Sequence, residues 1–175
     1  VGLGFGTFGS RHTTNSKHPI NSVVDMKGLK IRTMTTPIHL EVFEALGANP
    51  TPMAFSELFS ALQQGVVDGQ ENPLMNIYAN KLHEVQKYLT LDGHVFTFVV
   101  SKDWYDKLEP SYQQILNDGI KIATEYMKES CESEDALALE KMKEAGVEVV
   151  ELTPEAKDEF REAVKGVSEK YGNEI

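Results

Sequence analysis

The sequence predicts an α/β protein with a mainly parallel sheet, and three observations carry that prediction. Short runs rich in Val, Ile, Phe and Thr recur along the chain. Between them lie segments whose apolar residues fall at helical spacing. No Pro/Ser-rich linker, internal repeat or low-complexity tract divides the 175 residues.

Each element follows from its own residues. VGLGF is predicted as a short buried strand, followed by a Gly/Ser/Thr/Asn-rich loop that carries Arg11 and His12. INSVVDMKG is loop-like, with room for one helical turn. In LKIRTM, Leu29 and Ile31 alternate with Lys30 and Arg32, the period of a strand. Thr36-Pro37 reads as a helix start, because Thr can cap free amides and Pro suits the first helical position. Ile38, Val42 and Leu46 then form one face, and Gly47 is a natural stop. ANPTPM is extended, held by two prolines. AFSELFSALQQGVVDG places Phe55, Leu58, Phe59, Leu62 and Val66 on one helical stripe. DGQENP interrupts that stripe, and a further helix is expected through PLMNIYANKLHEV.

YLTLDGHVFTFVVS is strand-like with a turn at Asp92-Gly93. Pro110 opens a long helical pattern through Tyr112, Ile115, Leu116, Ile120, Ala123 and Met127 to Gly146, with Gly119 its single breaker. At about 1.5 Å per residue this helix spans about 50 Å, more than one small lobe. VEVVEL is a strand. Thr153-Pro154 starts a final helix with Phe160, Val164, Val167 and Tyr171 on one face and Gly172 at its end.

Composition narrows the function classes. At 41% hydrophobic and 25% charged, the chain is of ordinary globular type. No apolar run approaches the roughly 20 residues of a membrane helix, so direct membrane insertion is not expected. The opening VGLGFGTFGS has neither an initiating Met nor a basic leader, and we expect the chain to begin inside a longer protein. Cys131 is the single cysteine and cannot form an internal disulfide. Net charge is -10. Residues 1–32 nevertheless carry Arg11, Lys17, Lys27, Lys30 and Arg32 against Asp25 alone. An acidic whole argues against a nucleic-acid partner, whereas the basic first segment suits a small anion.

The common catalytic signatures are missing: no GxSxG, Walker loop, HExxH or CxxC occurs. The histidines His12, His18, His39, His83 and His94 have no metal-ligand spacing, so neither metal nor other cofactor is expected. Polar recognition remains. Arg32 ends a strand just before a helix start, where open α/β sheets bind ligands, and a guanidinium there can grip a carboxylate by two parallel hydrogen bonds. It can equally be a surface arginine paired with an acidic side chain. Asn72 offers a donor and an acceptor in one group, or is simply the residue before a turn proline. Phe55 opens an apolar stripe and reads first as core.

The ordered set NSVVDMKGLKIRTM, EALGANPTPMAFSELFSALQQGVVDGQENP and HEVQKYL resembles the solute-binding proteins of TRAP (tripartite ATP-independent periplasmic) transporters, over residues 11 to about 152. The resemblance implies a periplasmic-binding-protein-like lobe: half of a two-lobed fold, with a parallel-rich sheet flanked by helices and a long lobe-spanning helix that flexes at closure. Residues 1–100 would form mainly the second ligand-binding lobe. Residues 101–146 would hold a crossing strand and the spanning helix, and 147–175 the last strand and helix, with the first lobe largely absent.

The resemblance also implies roles. Arg32 would be the principal grip on a substrate carboxylate, Asn72 its helper and Phe55 a pocket wall. Arg11 would be a second cleft arginine and His94 a residue near the cleft. The implied partners are a small organic acid and TRAP membrane subunits, and the implied location is the periplasm. A dicarboxylate, a sugar acid and a keto acid all stay open. Two other readings are a ligand-sensing domain of the same fold and a carboxylate-handling enzyme. The enzyme would need a general acid or base near Arg32, such as His12 or His94.

Overall fold

A computed structural model describes residues 2–6, 10–91 and 96–172. The chain opens with strand β1, Gly2–Gly6, and strand β2, Arg11–Asn15. A 3-10 turn at Val23–Met26 leads into β3, Lys30–Thr33. Then come helix α1, Pro37–Ala45, strand β4, Asn49–Pro52, helix α2, Phe55–Gln63, and strand β5, Gly69–Pro73. Helix α3, Leu74–Ala79, a 3-10 turn at Leu82–Glu84, strands β6, Tyr88–Leu91, and β7, Phe96–Val99, follow. The chain ends with α4, Lys102–Tyr105, α5, Pro110–Glu144, strand β8, Glu148–Glu151, and α6, Pro154–Gly172.

Six strands form the main sheet in the order β4-β3-β5-β2-β6-β8, while β1 and β7 pair as a separate antiparallel ribbon. The sheet is mixed. β3 runs parallel to both its neighbours and β6 parallel to β8, but β2 is antiparallel to β5 and to β6. The class is therefore α/β as expected, with the parallel pairings at the two flanks and an antiparallel strand between them.

That middle strand corrects the sequence reading, which took Arg11 and His12 for loop residues. RHTTN lacks apolar alternation because its inward positions are polar: His12, Thr14 and Asn15 are buried. The strand expected within residues 101–146 lies earlier, at β7, and 101–146 holds α4 and α5. The stripe on α2 stops short as well. The helix ends at Gln63, Gly65 takes a left-handed φ of 71°, and Val67 rather than Val66 enters the core. Thr36 occupies the position before α1, but its hydroxyl caps nothing, whereas Thr153 Oγ1 accepts the Ala156 amide at 3.2 Å and does cap α6.

Two apolar cores sandwich the sheet. One joins Leu58, Leu62, Val67, Leu74, Ile77 and Leu89 to Ala138 and Met142 of α5. The other joins Ile20, Met26, Leu29, Ile31, Phe43 and Leu46, with Phe160 and Val164 of α6 packed on it. Burying such side chains on both faces removes enough apolar surface to fix the sheet's register.

Candidate functional site

The stretch DGQENP, which reads as turn-like, is a buried strand with a task at each position. The Asp68 carboxylate accepts the Lys30 amide at 2.9 Å and lies 3.3 Å from Lys17 Nζ, which ties the start of β5 to β3. Gly69 lies in close contact with the Thr14 carbonyl. All five residues of β5 are buried. Register then decides which side each points to, because successive residues alternate. Gln70 pairs with Arg32 on one side and Thr14 on the other, and Asn72 pairs with His12. Arg32, Gln70, Thr14, Asn72 and His12 thus share the sheet face that α2 and α5 cover. Glu71 pairs with Thr13, on the face that α1 and α6 cover.

Arg32 is 4% exposed. Its Nε and Nη2 both donate to the Met53 carbonyl, at 3.1 and 2.9 Å, just beyond the end of β4. The Phe55 ring, on the first residue of α2, stands 5.7 Å from the guanidinium carbon. That distance is within the range of a cation–π contact. Burial lowers the Arg32 pKa; the nearby Glu71 charge opposes that shift and Arg11 reinforces it. An arginine remains charged through any such shift. No carboxylate forms an ion pair with Arg32, and its Nη1 meets no acceptor among the described residues. Asn72 completes the group, donating from Nδ2 to Gln70 Oε1, while Gln70 Nε2 donates to Thr14 Oγ1 at 2.8 Å.

Arg11 is placed differently. From the end of β2 its Nε and Nη2 both donate to the Glu71 carboxylate, Nη2 at 2.8 Å to Oε1. Nη2 also reaches the Glu71 carbonyl at 3.1 Å and Asn72 Oδ1 at 3.4 Å. His39 Nδ1 lies 3.7 Å from Glu71 Oε1. This cluster lines a cavity of about 660 Å3 between α1 and α6, whose walls include Val42, Phe160 and Val164 and do not include Arg32.

The structure puts Phe55 over Arg32 and links Asn72 to the same strands through Gln70, which pairs with Arg32. Arg11 comes to the same strand ends, from the opposite face and with a carboxylate attached. His94 lies outside the described residues. Glu71, Met53 and Gln70 escaped the sequence reading. Only strand register puts Glu71 beside a residue 60 positions away, although the order Gln-Glu-Asn could have hinted that alternate faces were both polar. Among the described residues no group of three or more His, Cys, Asp or Glu could hold a metal ion, and no helix is long and apolar enough to cross a membrane.

A family model described as bacterial extracellular solute-binding protein, family 7 (DctP) matches residues 1–174. The chain is 38% identical over 145 residues to the 2,3-diketo-L-gulonate-binding periplasmic protein YiaO of Escherichia coli, covering 81% of this chain and 44% of that protein. It superposes with a TM-score of 0.85 and 40% identity on a TRAP periplasmic solute-binding protein from Ochrobactrum anthropi, covering 98% of this chain and 54% of that one. With the sugar acid binding protein DctPAm from Advenella mimigardefordensis, solved in complex with galactonate, the TM-score is 0.79 and the identity 38%, over 100% and 57% of the two chains. The chain spans about half the length of the relatives it matches.

Proposed function

The chain belongs to the bacterial extracellular solute-binding proteins of family 7, a family of binding proteins rather than enzymes, and we propose that its full-length protein captures a small polyhydroxylated organic acid through Arg32. The observation that carries this reading is the state of Arg32: a buried guanidinium with no counter-ion among the described residues. A charge taken out of water is costly unless it is paired. Here the protein supplies one carbonyl and one ring, and leaves Nη1 for something else. A carboxylate of the solute is the partner that fits a planar donor group. Asn72, two residues from the Gln70 that pairs with Arg32, adds an amide beside it.

The relatives support the ligand class. Several are named for, or solved with, hydroxylated acids of four to six carbons, 2,3-diketo-L-gulonate, galactonate, β-D-galacturonate and D-erythronate, while others are named for ectoine and for sialic acid. In this reading residues 1–100 provide mainly one ligand-binding lobe, α5 spans towards a second lobe, and the lobes close over the solute. Closure would exclude water and strengthen the charge pair. The loaded protein would then deliver the acid to the membrane subunits of a TRAP transporter, outside the cytoplasm.

Calorimetric titration of the full-length protein with galactonate tests the anchor. Arg32→Ala is expected to weaken binding at least about 100-fold, the scale of leaving a buried carboxylate unpaired. Arg32→Lys should recover little of it, because an ammonium is a point charge and cannot reproduce the fork. Unchanged affinity in Arg32→Ala would remove Arg32 from the site.

A further inference from the structure

Two guanidinium groups reach the ends of the central strands, and only one of them is neutralised. Arg11 is held by Glu71 through both carboxylate oxygens. Glu71 is 5% exposed, and Arg11 also donates to the Glu71 and Asn72 oxygens. Such a forked pair fixes the geometry of both partners and cancels their charges locally. Among the described residues no carboxylate forms an ion pair with Arg32, which feels Glu71 only as a nearby charge. The His39 ring lies 3.7 Å from Glu71 and lines the cavity, whose walls do not include Arg32. Among the described residues, the net result of these two arginines and Glu71 is one positive charge without an ion-pair partner.

We propose that Glu71 sets how many negative charges the site accepts: by occupying Arg11 it leaves Arg32 as the guanidinium of the two that has no carboxylate partner among the described residues, so the site favours a solute with one carboxylate over a solute with two. This rests on the reading that Arg32 binds a carboxylate. A second carboxylate drawn towards the strand ends would find Arg11 already paired and the acidic Glu71 beside it. It would be left desolvated without a partner, and a repulsive element of that kind is an effective source of discrimination. Glu71 acts through Arg11 and is a positioning residue in this scheme.

The test uses matched acids of equal chain length: D-erythronate against meso-tartrate, and D-galactonate against galactarate, each titrated into the full-length protein. The quantity read is the ratio of diacid to monoacid affinity, which cancels any general loss of affinity from imperfect packing. Glu71→Gln frees Arg11 and is expected to raise that ratio at least about tenfold. Arg11→Gln leaves Glu71 unbalanced and should lower it. The double variant Arg11→Gln/Glu71→Gln removes both charges and should return the ratio towards that of the wild type.

A ratio equal in all four proteins overturns the proposal. If Glu71→Gln does not fold, the comparison of Arg11→Gln with the double variant still decides, because the ratio must rise when Glu71 is removed. Arg32→Ala separates this idea from the reading beneath it. Loss of both acids in Arg32→Ala, with a ratio indifferent to Glu71, rejects the charge-setting role alone. Retention of both acids in Arg32→Ala, or binding of none by the wild type, rejects the two together.

Discussion

A methyl group at position 69 would sit 2.2 Å from the Thr14 carbonyl oxygen and 3.0 Å from Ile31 Cδ1. Backbone oxygen cannot give way as a flexible side chain can, so Gly69→Ala must push β5 away from β2. The expected cost is about 3 kcal/mol or more, read as a lower urea midpoint. Gly119→Ala is the contrast. Nothing lies within 4 Å of that position, it is helical, and the substitution should stabilise by roughly 0.5–1 kcal/mol. Residue by residue, what the motifs made legible was the neighbourhood: Arg32 stands beside Phe55 and pairs with Gln70, to which Asn72 donates. Glu71 was not legible, because its partner lies across a strand pairing. Arg11 was read as a loop residue, so neither its place at the start of β2 nor its counter-ion Glu71 was foreseen.

The elements show where periodicity works and where it fails. α1, α5, α6 and β3 were visible because apolar residues mark one side of each. β2 and β5 were not, because their buried positions are His, Thr, Gln, Glu and Asn, which satisfy one another across the sheet. A polar core strand carries the letters of a loop. Stability at the element scale can be probed at the turn before β3. Asp25 Oδ2 accepts the Asn21 amide at 2.9 Å, the Ser22 amide at 3.0 Å and the Ser22 hydroxyl at 3.1 Å. These bonds, the Asn21 amide first, hold its pKa below the usual carboxylate value. A lowered folded-state pKa means stability that is full above the ordinary carboxylate pKa and is lost as pH falls through the folded one. Asp25→Asn is therefore expected to cost about 1 kcal/mol at neutral pH. The difference from the wild type should shrink in denaturation curves taken below about pH 4.

At the scale of the molecule, α5 divides into two unlike halves. Its last third buries Ala138 and Met142 in a core. Its first half packs along β1 and leaves Leu116, Ile120 and Met127 half-buried, while Tyr112, Ile115, Ile122 and Tyr126 stay exposed. These four recur at helical spacing, so they form a continuous apolar flank. A flank of that kind on a chain half the length of its relatives favours association. The 175-residue chain by itself is expected to self-associate as concentration rises. Ile115→Glu with Ile122→Glu should shift its sedimentation towards the monomer without lowering the thermal midpoint. Equal sedimentation of variant and parent would show that the flank plays no part.

The Met53 carbonyl, described above as a hydrogen-bond acceptor, has a mechanical consequence. It joins the tip of β3 to the residue that leads into α2, and α2 begins with the ring that stands over the same guanidinium. Carbonyl, ring and cation can therefore only be displaced as one piece. A shift of α2 moves all three together, and under the proposed reading a change in which solutes fit would have to arise from surfaces opposite this piece.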